Sequence, residues 1–211
     1  MNTNKDEEIG WFKRAAYSLI GRRKTIMLAG YTGSGKTTVL TVLSKRRNLT
    51  SDEVEKQTIG AVKKNIEYET KDHKKMYIKS VDMAGLPIVV NGQEFRKKIE
   101  SHHYIIYMLN VERFVNGNNP HENNLCLAWL QKVNEIAKNN GKPMLLVLSH
   151  ADEFLKSLRE ENPYANYATI RYLFLSDKGY LSKVNFNCET VVANVLKYEE
   201  VQSIIEIIIK K

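Results

Sequence analysis

The chain has 211 residues, 43% hydrophobic and 27% charged, which is enough for one well-buried core and short for two. Four prolines, no Ser/Gly-rich tract and no internal repeat leave no linker, so one domain is expected. The net charge of +8 permits anionic partners, but the basic residues are scattered (Lys63-Lys64, Lys71, Lys74-Lys75, Arg96-Lys97-Lys98) without a recognisable nucleic-acid module, so no specific nucleic-acid binding is expected.

The polar, acidic start MNTNKDEE excludes a secretory signal and no stretch approaches the length of a membrane span, which predicts a cytoplasmic protein. Cys126 and Cys188 make no metal or redox spacing and read as reduced, partly buried thiols. Residues 9–20 set Phe12, Ala15, Ala16, Leu19 and Ile20 at helical spacing, with Trp11 beside them and Lys13, Arg14, Arg22, Arg23 and Lys24 around them. This basic amphipathic helix, residues 1–22, precedes a domain over residues 23–211. Two readings stand side by side: it lies in a membrane interface, or it packs on the domain or on a partner. With no myristoyl or prenyl signal to add a second anchor, any association at a membrane surface is weak and peripheral.

The apolar run 25–29 predicts a strand, and the helix predicted over 36–46 follows GYTGSGKT, residues 30–37. Such a strand–loop–helix setting defines a phosphate-binding loop: glycines let backbone N–H groups turn inward around a polyphosphate, and the helix adds the positive end of its dipole. Lys36 reaches the outer phosphates, and the Thr37 hydroxyl takes one place on a nucleotide-bound Mg²⁺.

Residues 49–56 are polar and read as a mobile segment; Asn48-Leu49-Thr50 at its start, a formal glycosylation acceptor, reads as surface loop. Thr58, in Gln57-Thr58-Ile59-Gly60, can coordinate the metal only when a γ-phosphate is bound, which would order this segment and release it on hydrolysis. Residues 62–69 and 76–81 read as an antiparallel hairpin around the polar turn 71–74. The second strand leads into Asp82-Met83-Ala84-Gly85, where the aspartate can reach Mg²⁺ through a water and the glycine can offer its N–H to a terminal phosphate. Met83, where motor and transporter ATPases carry a second acid, argues against those enzymes.

Residues 104–109 and 144–148 are continuous apolar runs, as central strands covered on both faces require. Between them, Asn119-Pro120-His121-Glu122 signals a helix start, and the helix should bury Leu125, Trp129, Val133 and Ile136. Directly after residue 148 comes Ser149-His150-Ala151-Asp152, whose Asp152 carboxylate can accept hydrogen bonds from the N1–H and exocyclic amine of guanine. Helices are expected over 164–175, after the Asn162-Pro163 break, and over 201–209. The alternation predicts a three-layer α/β P-loop NTPase domain with a mostly parallel sheet and one antiparallel edge strand.

In order and in motif, residues 25–208 resemble the Ras-like small GTPase superfamily. Thr58-Ile59-Gly60, the basic leader and GSGKTT look most like its Arf and signal-recognition-particle-receptor-β branches. The resemblance implies that Gly30, Tyr31, Thr32, Gly33, Ser34, Gly35, Lys36, Thr37 and Thr38 cradle GTP or GDP, that Thr37, Thr58 and Asp82 serve Mg²⁺, and that Lys36, Thr58 and Gly85 act on the terminal phosphate. It further implies that Ser149, His150 and Asp152 hold the base, with the Ala193 N–H of Val192-Ala193-Asn194 meeting the guanine carbonyl.

Two departures carry chemistry. Ser149-His150 replaces the family's Asn-Lys; a serine is shorter than the asparagine that ties this segment to the phosphate loop, while a histidine ring can still stack on the base. Leu86, followed by Pro87, stands where the family has a water-orienting glutamine, so hydrolysis should be slow unless Gln93, His102, His103 or a partner supplies the missing group. The expectation is a GTP-binding switch with slow, partner-dependent hydrolysis, which orders residues 49–60 and 82–94 in the GTP state and engages an unidentified effector or activating protein. An ATP-using P-loop enzyme such as a small-molecule kinase, and a non-hydrolysing nucleotide-bound scaffold, are the alternatives.

Overall fold

The apolar run behind Lys24 forms β1 (Lys24–Gly30), and in the computed structural model its side chains alternate between two separate cores. Ile26 and Leu28 meet Val39, Leu40 and Leu43 of α1 (Lys36–Lys45) and Ile204, Ile205 and Ile208 of α8 (Tyr198–Ile209). Met27 and Ala29 belong to the opposite core, with Trp129, Leu130 and Val133 of α5 (Pro120–Asn139). A strand with period 2 that is apolar on both sides must be covered on both sides, and this is why the domain has three layers. Burying Ile26, Met27 or Leu28 contributes about 2 kcal/mol each. The structure describes residues 24–58, 65–71, 73, 75–82, 92–117 and 119–211; the amphipathic helix read over 9–20, and the domain start at residue 23, lie outside them.

Among the described residues the sheet has six strands in the order β2 (Asn65–Glu69), β3 (Lys75–Asp82), β1, β4 (Tyr104–Asn110), β5 (Met144–Ser149), β6 (Glu189–Val192). The edge pair β2–β3 is antiparallel, the hairpin read from the sequence, and β3–β1, β1–β4, β4–β5 and β5–β6 are parallel. On the α5 side lie also α3 (Gly92–Glu100) through Ile99, α4 (Val111–Asn116) through Phe114, α6 (Ala151–Glu161) through Phe154 and α7 (Tyr167–Leu175) through Phe174. Among the described residues no helix is long and apolar enough to cross a membrane.

Several elements differ from the sequence reading, each for a local reason. The polar segment taken as mobile contains a helix, α2 (Ser51–Thr58). Glu53 reaches back to the Thr50 N–H (3.1 Å), one half of a capping box, and Arg47 beside it holds its carboxyl down at about 2. The supposed surface loop before it is anchored: Leu49 is buried and donates its N–H to Leu196 O (2.9 Å), and Asn48 Oδ1 accepts the Tyr198 N–H (2.8 Å). Leu125 is half-buried rather than buried; the inward stripe of α5 runs Cys126, Trp129, Leu130, Val133, Ile136, Ala137, and Leu125 lies at its edge, about 80° from its centre. Helix α7 starts three residues late because Asn166 makes a full capping box, accepting from Ala168 N and Thr169 N while its own N–H donates to Thr169 Oγ1. Both cysteines are free thiols, and burial pushes each up to about 11.

Candidate nucleotide site

The parallel register aligns the carboxyl ends of four strands. Gly30 pairs with Asp82 on one side and with Met108 on the other, and Asn110 pairs with Ser149. The β1-to-β3 connection carries α1 on one face, and the β3-to-β4 connection carries α3 on the other, so the crevice lies at the point where the winding reverses.

At that point the chain turns through residues 30–37. Gly30 has φ +150, and a Cβ there would lie 2.4 Å from Met108 O and 2.7 Å from Ser34 Oγ, so no larger residue fits. Gly35, at φ +87, is the N-cap of α1 and opens the helix toward the crevice. Lys36 folds back over the loop, its Nζ donating to Gly30 O (2.8 Å) and Tyr31 O (2.7 Å) and lying 3.3 Å from Ser34 Oγ. Only 7% exposed, this ammonium is held by neutral carbonyls, and anionic phosphate oxygens are stronger acceptors for it. Thr37 is half-buried in the first turn of α1 and Thr38 is buried. These residues fit a polyphosphate. A Mg²⁺ held mostly by phosphates and water needs little more from the protein than the Thr37 hydroxyl and one carboxylate.

The outer side of the loop is braced by three residues, Asn110, Arg113 and Glu122, that sequence alone does not bring to the site. Asn110 donates from Nδ2 to Gly33 O (2.9 Å), while its Oδ1 caps α4 by accepting the Arg113 N–H (2.9 Å). Arg113 grips both oxygens of Glu122 (2.7 and 2.8 Å) and reaches Thr32 O at 3.4 Å. Glu122 sits in the first turn of α5 as its capping signature implies, and Asn119 Oδ1 does accept the Glu122 N–H (3.1 Å), but the carboxylate turns to Arg113. The one sequence signal was the asparagine closing an apolar strand.

At the other end, Ser149 is fully buried, its Oγ 2.9 Å from Ser34 O and 3.0 Å from Leu109 O, with one proton to share between them. The serine therefore spans the distance to the phosphate loop despite its length. His150 is the left-handed N-cap of α6 (φ 57). Its Nδ1 lies 3.2 Å from Glu153 Oε2, a hydrogen bond that lowers the Glu153 carboxyl, and its buried Nε2, without a partner among the described residues, lies 3.5 Å from where a Gly35 Cβ would be. Asp152 follows, half-buried in the first turn of the same helix.

Ala193 is a correction. Its N–H donates to Leu148 O (3.0 Å), continuing the β5–β6 pairing, and it is 2% exposed, so this amide is engaged within the sheet. The residue of the loop that overhangs the cradle is Val195, whose Cγ2 lies 3.0 Å from the Gly35 Cβ position. Glu200 fixes this turn by accepting the Asn194 N–H (2.8 Å). The sequence reading missed the shift because a four-residue β6 carries too short a pattern to set a register.

Of the three groups weighed as replacements for glutamine, two are ruled out by position. His103 Nδ1 is 3.0 Å from Thr25 Oγ1, and His102 Nδ1 is 2.6 Å from Lys98 O, both beside the amino-terminal ends of β1 and β4 and so at the opposite edge from Gly30. Gln93 is exposed in the first turn of α3. Thr58 ends α2 and Asp82 ends β3, with their side chains outside the described residues, as are Ile59, Gly60, Gly85, Leu86 and Pro87 altogether.

The doubly wound sheet, the glycine cradle and Lys36 define a P-loop NTPase domain. Residues 25–150, well over half of the chain, match the family described as 50S ribosome-binding GTPase, and the protein belongs to that GTPase family. The matched span runs from β1 to the residue that carries the orphan ring nitrogen, so it takes in the phosphate loop and the start of the base segment. No curated protein matches the chain.

Proposed function

We propose that the protein is a GTP-binding molecular switch that hydrolyses GTP to GDP slowly and with help from a partner. The observation that carries this reading is the hydrogen bond from Ser149 to Ser34 O, because it couples the segment bearing Asp152 to the loop bearing Lys36. One ligand with an anionic tail and a guanine head answers to both. Asp152 accepts from the guanine N1–H and amine, His150 lies against the base or ribose, and the Val195 amide takes the role first given to Ala193. GTPase family membership favours guanine over the ATP-using alternative. The match covers the nucleotide-binding part, so it bears on the nucleotide and not on a ribosomal partner.

Thr37, Asp82 and, in the GTP state, Thr58 would hold Mg²⁺, which when bound neutralises charge on the outer phosphate oxygens. Lys36, Thr58 and the Gly85 N–H would hold the terminal phosphate, ordering residues 49–60 and 82–94 only while that phosphate is present. Leucine at position 86 supports slow turnover, since it cannot orient a water; Gln93 or an activating protein supplies what is missing. The Arf-like and receptor-β-like likeness rests on Thr58-Ile59-Gly60 and on the leader. It supports a cytoplasmic protein that meets a membrane weakly through residues 9–20, or packs that helix on protein.

The deciding experiment identifies any nucleotide that stays with the purified protein and measures competition by GTP, GDP and ATP. Guanine nucleotide is expected to dominate; equal competition by ATP removes the reading. Turnover with and without cell extract then separates the switch, which accelerates, from a scaffold, which does not.

A further inference from the structure

Three consecutive carbonyls of the phosphate loop are each held from outside by a side chain of another element. Arg113 reaches Thr32 O (3.4 Å), Asn110 donates to Gly33 O (2.9 Å), and Ser149 donates to Ser34 O (2.9 Å). The carbonyls of Gly30 and Tyr31, in contrast, are held from within by Lys36. A peptide unit is planar and trans, so its C=O and the next residue's N–H point in opposite directions. Pinning Thr32 O, Gly33 O and Ser34 O outward therefore turns the N–H groups of Gly33, Ser34 and Gly35 inward, the arrangement of an anion-binding nest. The Ser34 N–H donates to Tyr31 O (3.2 Å), the same carbonyl that Lys36 holds from within.

We propose that Asn110 and Arg113, the latter held by Glu122, are positioning residues that preset this nest before nucleotide arrives. The proposal rests on the nucleotide reading above for its consequence, but the loop geometry it describes does not need the ligand. Glycine makes the loop pliable enough to approach phosphate, and pliability has an entropic cost on binding. A brace that fixes the carbonyls reduces that cost, so the ligand does not have to order the loop itself. Glu122 matters because its two hydrogen bonds fix the guanidinium in one plane, with the third edge on the loop. Neither Asn110 nor Arg113 need touch the nucleotide.

The test uses the full chain with Asn110→Ala, Arg113→Ala, Arg113→Lys, Glu122→Gln and the Asn110/Arg113 double alanine variant. Release of a fluorescent GDP analogue into excess GDP should quicken about ten-fold in each alanine variant, roughly the loss of one such hydrogen bond, and more in the double variant. Lysine at 113 should not restore the slow release, since it cannot grip both oxygens of Glu122. Amide exchange of Gly33 and Ser34, read without nucleotide, should rise in the same variants while exchange of Leu146 in the core stays unchanged; a merely structural role would raise both. Unaltered release together with unaltered Gly33 and Ser34 exchange overturns the brace. Should the unmodified chain bind no guanine nucleotide, the switch reading falls and the exchange measurement alone decides the brace. If the double variant does not fold, Glu122→Gln carries the same comparison.

Discussion

The two ends of the candidate site are built in different ways. The phosphate end is one contiguous run, residues 30–38, that works largely through backbone groups, with Lys36 folded over it and 7% exposed. The proposed base end draws instead on two segments more than forty residues apart, the side chains of Ser149 to Asp152 on β5 and α6 and the turn around Val195 after β6. Backbone recognition needs particular φ angles and glycine, so its sequence is tightly constrained. Side-chain recognition needs only the right atom in the right place, and here a serine does what the family's asparagine does, by a different reach. The difference teaches that a motif can be degraded in letters at one end of a site while the hydrogen-bond geometry survives.

That contrast can be broken most sharply at Gly30. An alanine there puts a Cβ 2.4 Å from Met108 O at φ +150, and clash plus backbone strain should cost about 4 kcal/mol of stability, read as a lowered denaturation midpoint. A chain as stable as the original would mean that the loop is far softer than argued. Lys36→Ala should leave the fold intact and weaken guanine nucleotide binding by about 3 kcal/mol, more than a hundred-fold, in a titration with fluorescent GDP. Unchanged affinity would remove the phosphate assignment.

The base end should yield in smaller steps. Asp152→Asn should shift preference from guanine to xanthine nucleotide by about 2 kcal/mol, since the amide keeps an acceptor for the ring N1–H but offers an N–H donor where guanine has its amine and xanthine a carbonyl. No shift would take Asp152 out of the base site. Ser149→Ala removes the shared donor to Ser34 O and Leu109 O, and about 1 kcal/mol of stability should go with it, alongside faster nucleotide release. Ser149→Asn, which restores the family residue, should show whether the short hydroxyl is merely adequate or better fitted to this loop.

The smallest effect lies at the far edge of the sheet. Burial lowers the His102 imidazole from its ordinary 6.5, with Lys79 and Lys142 acting in the same direction and the Lys98 carbonyl opposing them. The unfolded chain then binds more protons there than the folded one, so stability is full above about pH 6.5 and declines as the pH falls below it. Urea unfolding at pH 7.5 and 5.5 should show this decline in the native chain and less of it in His102→Asn. Equal slopes would place the pH dependence elsewhere, and activity at pH 7.5 should be indifferent to the change because His102 is remote from Gly30.

From the sequence alone came the phosphate loop, the positions of the main strands along the chain, the antiparallel edge and the two-faced burial of 104–109 and 144–148, because each is a local pattern of glycine spacing or apolar period. What only tertiary structure decided lies where partners are distant in the chain. Arg113 finds Glu122 across a turn and Thr32 across the sheet edge, Ser149 finds Ser34, the Ala193 N–H finds Leu148 O, and His102 and His103 fall at the far end of β1 and β4. A local rule fixes a backbone conformation within a few residues, whereas such contacts depend on how the strands register and wind around β1, and that is settled by packing both cores at once.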